Sequence, residues 1–304
     1  MTTPWGGIEV ADSHVHFFSH GFLSLLARQR NCSIGELEAA LGWEMPAADP
    51  AVFAARWVAE LDRHGVSRAA IIASLPGDED SVAAAVRAFP DRFDGFFLAN
   101  PMEPGAAANV EARLGQGLRG VCLFPAMHRY SMHEERVDAI AGIVAAQPGA
   151  VLFVHCGVLT VGVRRKLGLA SPFDLRYSNP VDVHALAMRR PDLPIVIPHF
   201  GAGYLREALM LCDLCPNVYL DTSSTNSWMK YQESDCTLTS VFQRALGVAG
   251  PRRLLFGTDS SFFPRGWNRA ILDGQIAALQ ETGIGADDAR AILGGNLSRL
   301  LGRD

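Results

Sequence analysis

The sequence lacks the features of proteins that bind nucleic acids or enter membranes. It contains no run of basic residues, and its formal net charge is −5, with 27 Lys+Arg against 32 Asp+Glu. Proteins that bind nucleic acids concentrate positive charge on one surface, so this balance argues against such a partner. No stretch is apolar for long enough to cross a bilayer, and the first residues lack the basic start and apolar core of a secretory signal. We therefore expect a cytoplasmic protein whose partners are small molecules.

Cysteine is scarce as well, with six residues among 304. In a chain of this length without a secretory signal, reduced thiols are a better expectation than a disulfide framework. Cys212 and Cys215 form one C-x-x-C motif, but the sequence has no second pair and the motif lies within a helical pattern. Buried helix cysteines explain it better than the alternative, a redox or zinc site.

The sequence also has no low-complexity segment and no linker rich in Pro, Gly or Ser. Since 49% of its residues are apolar and only 19% are charged, the chain can bury a large core. Eight short apolar runs recur along it, each ended by small or polar residues, and most segments between them show helical periodicity. The runs cover residues 8–17, 68–76, 93–101, 117–126, 150–157, 194–201, 217–224 and 253–261.

Strands that are buried on both faces and alternate with helices predict a parallel sheet. Eight such units in about 300 residues are what a (β/α)8 TIM barrel requires, with an open doubly wound sheet as the alternative. We therefore expect one α/β domain spanning residues 1–304. Residues 18–50 and 157–180 follow strands, are longer than a barrel needs, and fall on the face where barrels carry their function. We expect these two segments to act as lids.

Polar residues close four of these runs at the same end. His14 and His16 close the first run, His155 the fifth, His199 the sixth and Asp259 the eighth. The C-terminal ends of barrel strands meet at one mouth, so these side chains should converge. A lone buried histidine is usually an ordinary core or loop residue, but packing explains poorly why four strands place polar residues at the same end.

The H-x-H spacing of the first run has its own consequence. Residues two apart on a strand point to the same side, so His14 and His16 should both face the mouth and chelate one ion. Imidazole and carboxylate ligands without a thiolate suit zinc or another divalent cation. Asp12 lies two residues earlier and is expected on the same face, one layer deeper. There it would support the ligands rather than bind the metal.

Four motifs in this order resemble the amidohydrolase superfamily: D-S-H-V-H, V-H-C-G, P-H-F-G and G-T-D. With the closing ARAILGGNLSRLLG, the chain is similar over nearly its full length to the amidohydrolase-related (amidohydrolase 2) branch that includes aminocarboxymuconate-semialdehyde decarboxylase. The resemblance implies that His14, His16, His155 and Asp259 bind one divalent metal, zinc or manganese, with zinc preferred. It implies that His199 acts as an acid/base or oxygen-polarising group, and that the protein is a homodimer.

The resemblance also favours a mononuclear site. The fourth run, GLRGVCLFPA, lacks the lysine and the glutamate that binuclear members use, and its Cys122 is a poor substitute ligand. In such a site the metal lowers the pKa of a bound water toward about 7. Asp259 would take and pass on its proton, while His199 would hold the oxygen on which charge develops.

Two reaction classes remain open. A hydrolase would cleave an amide, ester or lactone of a small carboxylate-bearing molecule, whereas the same branch contains non-oxidative decarboxylases of aromatic or unsaturated acids. A non-catalytic binding protein that keeps the ligands is a third alternative. Substrate-binding groups would distinguish them, because arginines on mouth loops can clamp a carboxylate and aromatic rings can stack on a planar one. The candidates are Arg164, Arg165, Arg265, Phe263 and Trp267, with solvated loop charges as the alternative for the arginines.

Overall fold

Eight parallel strands form one sheet, in sequence order, in the computed structural model of the chain, which describes residues 1–159, 161–171 and 173–303. Strands β1 to β8 are Val10–His16, Val66–Ala73, Phe93–Ala99, Gly120–Leu123, Val151–Val154, Ile195–Ile197, Val218–Asp221 and Leu254–Leu255. Seven of them lie within one of the predicted apolar runs each, and β2 begins two residues before its run, which starts at residue 68. The predicted α/β class and TIM barrel are therefore confirmed. A separate antiparallel ribbon pairs Thr2–Thr3 with Gly6–Gly7.

Helices alternate with the strands. Over the described ranges, α1 to α14 are His20–Arg30, Ile34–Leu41, Pro50–His64, Glu79–Ala88, Ala106–Gly115, Pro125–His128, Glu135–Ala145, Gly162–Lys166, His184–Arg189, Leu205–Leu214, Leu238–Ala249, Arg269–Glu281, Ala286–Arg290 and Asn296–Leu300. Short helical turns occupy Leu175–Tyr177, Pro180–Val183, Pro198–Gly201, Ser227–Tyr231, Pro251–Arg253 and Ala291–Gly295. Among these described elements, no helix combines the length and the apolar character needed to cross a bilayer.

Local sequence sets the bounds of these helices, as α3 shows. Asp49 accepts a hydrogen bond from the second residue of the helix and Pro50 occupies its first position, both typical of a helix N-terminus. Gly65 ends α3 in the left-handed conformation, at φ 68°. The buried residues recur at four-residue intervals, at Phe53, Trp57 and Leu61. One face of α3 therefore packs against the barrel wall.

The barrel closes between β1 and β8. Three backbone hydrogen bonds of 2.7 to 2.9 Å join the two sides: Ser13 N to Phe256 O, Asp259 N to His14 O, and His16 N to Ser260 O. We call this junction the seam. Because all three of these bonds involve residues beyond the two-residue strand β8, the seam continues into the loop that follows it and sets the H-x-H motif beside Asp259.

Apolar side chains fill the interior of the barrel. Phe96, Phe153 and Val196 belong to this inner cluster, and Leu297 and Leu300 of α14 pack against it. A second, larger cluster lies between the strands and the surrounding helices. The barrel is therefore a packed core, and the polar residues that close the strands lie at its C-terminal end.

The two long connections pack against each other. An apolar cluster joins α1, α2 and α8, and it includes Leu23, Leu41, Trp43, Val163 and Leu167. Arg164 of α8 also donates a hydrogen bond of 2.6 Å to the Gln29 side chain of α1. We call these packed segments the lid layer; their action as lids remains a prediction. Thr160 and Pro172 of the second connection, and Asp304 at the end of the predicted domain, lie outside the described residues.

Candidate metal centre

His14, His16 and Asp259 turn three acceptor atoms toward one point at the mouth. His16 Nε2 lies 3.4 Å from His14 Nε2 and 3.2 Å from Asp259 Oδ1, and His14 Nε2 lies 3.8 Å from that carboxylate oxygen. Ligands bonded at about 2.0–2.1 Å to a tetrahedral ion are separated by about 3.3 Å. The spacing of the three atoms therefore fits one divalent cation.

The other nitrogen of each ring already has a partner. Ser74 Oγ lies 2.7 Å from His16 Nδ1 and donates its own proton to a backbone carbonyl of β2, so it accepts the Nδ1 proton. His14 Nδ1 lies 3.0 Å from Ser223 Oγ. The Nε2 lone pair of His16 thus faces Asp259, and His14 Nε2 lies beside both of these atoms. Lone pairs at this spacing repel one another unless a cation lies between them. The two imidazole nitrogens and the carboxylate oxygen are therefore also suitable ligands for a metal.

Asp12 does not lie on the face of β1 that carries the histidines. Between Asp12 and Val15, β1 advances three residues while its partner β2 advances two, which is a one-residue bulge. Ser13 and His14 consequently both turn toward the barrel interior, whereas Asp12 turns toward the outer layer. The expectation that Asp12 shares the histidine face is wrong, because strict alternation does not anticipate the bulge.

Asp12 nevertheless supports the site through the backbone. Its carboxylate accepts hydrogen bonds from His14 N at 2.9 Å, Thr258 N at 3.1 Å, Thr258 Oγ1 at 2.5 Å and Trp267 Nε1 at 2.7 Å. Burial raises the pKa of Asp12 to about 6, although these hydrogen bonds lower it. The carboxylate therefore ties β1 to the loop after β8, directly behind the candidate ligands.

The structure adds two buried residues that the sequence analysis missed, Asp221 at the end of β7 and Ser223 just after it. Asp221 accepts hydrogen bonds from Ser13 Oγ at 2.7 Å and from the backbone N and hydroxyl of Ser223, and lies 3.4 Å from His14 Nδ1. Burial raises its pKa, but the charge and hydrogen bond of His14 lower it to about 2. Asp221 is ionised at neutral pH. A polar residue closing the seventh apolar run was the available signal.

His199 stands beside His14, with ring centroids 4.9 Å apart. Its Nδ1 lies 2.9 Å from Ser223 Oγ and 3.2 Å from the Ser223 carbonyl. Burial lowers the pKa of His199, so the ring is neutral at pH 7. Its backbone is left-handed, at φ 56°, and this conformation continues through Gly201 and Ala202. Non-glycine residues rarely adopt it, and such strain concentrates at functional sites.

His155 is buried next to His199, with ring centroids 5.3 Å apart, and it stacks on Phe124. Its Nδ1 is buried and has no hydrogen-bond partner in the described part of the chain. Burial and the neighbouring histidines hold its pKa well below its usual value, so the ring is neutral.

Two sets of residues in the described ranges bring ligand atoms within 4.8 Å of one another: His14, His16 and Asp259, and His14, His199 and Asp221. His155 belongs to neither set. Ser223 Oγ contacts all three residues of the second set, which is therefore a hydrogen-bonded network. The first set is the candidate metal centre, and ligation by His155 remains a prediction.

Gly157 allows the ends of β5 and β6 to approach closely. Its φ is +81°, and a Cβ on it would lie 2.1 Å from the Gly201 carbonyl oxygen and 2.5 Å from that of Ala202. We expect Gly157→Ala to lower the free energy of unfolding by about 3 kcal/mol, because the loop carrying His199 must move. Urea denaturation measures this. Gly162→Ala, where a Cβ meets no atom within 4 Å, is the control, and equal effects of the two substitutions would contradict the expectation.

Of the three candidate arginines, Arg265 contacts the metal centre. Its guanidinium donates to the Asp259 carbonyl at 3.3 Å and lies over the Phe262 ring, 4.6 Å from the centroid. Arg164 instead hydrogen bonds within the lid layer, and Arg165 is exposed. The structure thus places one charged group beside the mouth where it can meet a substrate anion.

Phe263 and Trp267 lie in the outer cluster between strands and helices, not at the mouth. Trp267 is 2% exposed, and Asp12 and Glu60 accept hydrogen bonds from its indole and backbone N–H groups. The prediction that these two rings stack on a substrate is therefore wrong. Phe262 is the aromatic residue of this loop that faces the lid layer, where it stacks on Trp43 at 4.2 Å.

The cysteines are free thiols in the structure. Cys212 and Cys215 are buried, and burial raises the pKa of both. Cys122 is fully buried in the inner cluster, where burial also raises its pKa. In the described residues no cysteine belongs to a set of close metal-ligating atoms, so the candidate site is built from nitrogen and oxygen alone.

Solved structures share this fold over nearly the whole chain. An uncharacterized TIM-barrel protein from Bordetella bronchiseptica is 21% identical, with a TM-score of 0.67 over 97% of this chain and 99% of that one. A probable 2-pyrone-4,6-dicarboxylic acid hydrolase from Acinetobacter baumannii, with citric acid bound, is 16% identical, with a TM-score of 0.63 over 97% and 100%. An amidohydrolase from Burkholderia multivorans with bound zinc is 18% identical, with a TM-score of 0.55 over 97% and 99%.

A curated relative matches over a shorter stretch. Protein fluG of Emericella nidulans is 32% identical over 130 residues, which are 43% of this chain. The match spans only 13% of the length of fluG. The amidohydrolase family model, in contrast, matches residues 11–303. The chain therefore belongs to the amidohydrolase family.

Proposed function

We propose that the protein is a mononuclear metal-dependent hydrolase that cleaves an amide, ester or lactone bond in a small carboxylate-bearing molecule. The observation that carries the proposal is the convergence of His14 Nε2, His16 Nε2 and Asp259 Oδ1 at 3.2 to 3.8 Å. Membership of the amidohydrolase family supports it. His155 is proposed as a further ligand, because its ring is neutral and one nitrogen lacks a partner among the described residues.

The chain's own residues supply the proton transfers. A divalent cation held by His14, His16 and Asp259 would polarise a carbonyl group and lower the pKa of water. Burial raises the pKa of Asp259, but the neighbouring histidines, His16 first, hold it below its usual value. The carboxylate is therefore ionised and can accept the proton of the attacking water. His199 is neutral, and its Nε2 can receive a proton and return it to the leaving nitrogen or oxygen.

Two neighbours bear on the finer proposals. The zinc bound to the Burkholderia amidohydrolase supports zinc as the metal here. The description of the Acinetobacter neighbour as a probable hydrolase of a pyrone dicarboxylic acid supports a lactone or related substrate that carries carboxylates. Cytoplasmic location is proposed from the sequence alone, and a homodimeric state from the family resemblance alone.

The test combines metal analysis with product analysis. Purified protein should contain close to one zinc or manganese ion per chain, measured by inductively coupled plasma mass spectrometry. The loaded protein should hydrolyse members of a panel of lactones, esters and amides of small carboxylic acids, followed by mass spectrometry of the products. Release of carbon dioxide that matches substrate loss would overturn the hydrolase in favour of the decarboxylase. A protein that binds no divalent metal would refute the site itself.

Arg265 is proposed to bind the substrate carboxylate. We expect Arg265→Gln to raise KM by about 10- to 100-fold, since a hydrogen bond to a charged group contributes roughly 1.5–3 kcal/mol, while kcat changes much less. Steady-state kinetics separates the two. Arg269→Gln is the control, because Arg269 is exposed and paired with Asp273. An unchanged KM for Arg265→Gln would remove Arg265 from the substrate site.

A further inference from the structure

One serine hydroxyl contacts two histidines of the site at once. Ser223 Oγ lies 3.0 Å from His14 Nδ1 and 2.9 Å from His199 Nδ1, and it donates a hydrogen bond to Asp221 Oδ1. Ser223, Asp221 and His14 are each no more than 2% exposed. The proposed ligand His14 and the proposed acid/base His199 are therefore joined through a single oxygen atom.

The hydrogen bonds around Ser223 Oγ determine the tautomers of both rings. A hydroxyl has one proton to donate and two lone pairs that accept. Asp221 Oδ1 accepts the backbone N–H of Ser223, and the Ser223 hydroxyl donates to the same oxygen, so this hydroxyl proton is already used. The two lone pairs of Ser223 Oγ then face His14 and His199, and each ring must offer an Nδ1–H. The Ser223 carbonyl, 3.2 Å from His199 Nδ1, also only accepts, which gives the same answer for His199.

We propose that Asp221 and Ser223 are positioning residues that fix His14 and His199 in the same Nδ1–H tautomer. This leaves the Nε2 lone pair of His14 for the cation and that of His199 for proton transfer. Partners of this kind orient a metal-ligating imidazole through its second nitrogen. The role in metal binding rests on the proposed function, whereas the tautomers follow from the hydrogen bonds alone.

Two substitutions should separate the contributions. Ser223→Ala removes the shared hydroxyl, so His14 loses its nearest Nδ1 acceptor, whereas His199 keeps the Ser223 backbone carbonyl at 3.2 Å. Asp221→Asn keeps the shape of the side chain. Its amide oxygen can still accept the hydrogen bonds from the backbone N–H and the hydroxyl of Ser223. Its NH2 group then replaces the carboxylate oxygen that lies 2.7 Å from Ser13 Oγ and 3.4 Å from His14 Nδ1. A donor in that position shifts His14 toward the Nε2–H form and leaves His199 unchanged.

Long-range ¹H–¹⁵N spectra of metal-free protein with ¹⁵N-labelled histidine report each tautomer directly. Spectra are recorded up to about pH 9, where unperturbed imidazole is neutral, and His14→Gln and His199→Gln assign the signals. We expect the Nδ1–H form at both rings in the wild type. In Ser223→Ala we expect mixed tautomers at His14, with His199 still in the Nδ1–H form, and in Asp221→Asn a change at His14 alone.

Thr222→Val is the matched control. Thr222 is the buried neighbour on the same strand end, and its hydroxyl donates to Gln275 at 2.6 Å, on the side away from the histidines. The substitution removes one buried hydrogen bond and should leave both tautomers unchanged.

Zinc affinity, measured by competition with a chromophoric chelator, gives a second readout. We expect it to fall about 10- to 100-fold in Ser223→Ala and Asp221→Asn, and to change little in Thr222→Val. Unchanged tautomers in Ser223→Ala and Asp221→Asn would overturn the proposal; if Ser223→Ala does not fold, the His14 signal of Asp221→Asn decides alone. Expected tautomers in a protein that binds no zinc would instead refute the proposed function and leave the positioning pair standing.

Discussion

Asp259→Asn is expected to lower kcat by about a thousandfold and to reduce the metal content of the purified protein. The substitution removes the negative charge from the centre formed with His14 and His16, and the amide cannot accept a proton. General acid–base groups contribute about 10²- to 10⁴-fold to rate, and the weaker ligand adds to that loss. Metal analysis and steady-state kinetics on the same preparation measure both effects.

The backbone makes this substitution a clean test of chemistry. Asp259 adopts the left-handed conformation, at φ 58°, which asparagine tolerates as well as aspartate does. The loop should therefore keep its shape, and circular dichroism and the unfolding midpoint should match those of the wild type. Asp273→Asn, an exposed carboxylate on α12, controls for loss of charge. Full metal content and activity in Asp259→Asn would place the centre elsewhere.

Asp12→Ala is expected to lower the free energy of unfolding by about 4 kcal/mol. The carboxylate satisfies four buried donors from His14, Thr258 and Trp267. A buried donor left without a partner costs roughly 1–3 kcal/mol, and some of this loss is recovered by relaxation. Urea denaturation monitored by tryptophan fluorescence and by circular dichroism measures the change.

A double-mutant cycle with Trp267→Phe isolates one of these bonds. Phenylalanine lacks the indole N–H, so Asp12→Ala leaves one donor fewer unsatisfied in the Trp267→Phe background. We expect the combined effect to be smaller than the sum of the two single effects by about 1 kcal/mol. Strict additivity would show that the Asp12–Trp267 hydrogen bond contributes nothing. Asp273→Ala, which breaks only an exposed ion pair with Arg269, should cost about 0.5 kcal/mol or less.

The sequence predicts the barrel because burial on both faces of each strand leaves an apolar run that polar residues end. The same rule brings His14, His16, His155, His199 and Asp259 to one end of the barrel. It applies equally to the run that ends in Asp221, where the signal was present and passed over. Residues whose position follows from the strand order alone are thus within reach of sequence reasoning.

The positions of Asp12 and Trp267 could not be predicted from the sequence, for two different reasons. The bulge in β1 adds one residue between Asp12 and Val15, and no pattern of apolar and polar residues distinguishes that strand from a regular one. Trp267 follows β8 closely in sequence, yet the buried acceptors of Asp12 and Glu60 draw it into the outer cluster. Both placements depend on contacts between residues more than two hundred positions apart.

Because the seam lies at the mouth, a ligand bound there contributes to the stability of the closed barrel. Strand β8 has two residues, so three backbone hydrogen bonds beyond its short ladder hold the last strand to the first. His16 and Asp259 stand on opposite sides of that junction, and a ligand that bridges them binds only the closed barrel. At a hundredfold excess over its Kd, such a ligand adds about 2.7 kcal/mol to stability by mass action. Ligand binding at the mouth and closure of the sheet are therefore thermodynamically coupled.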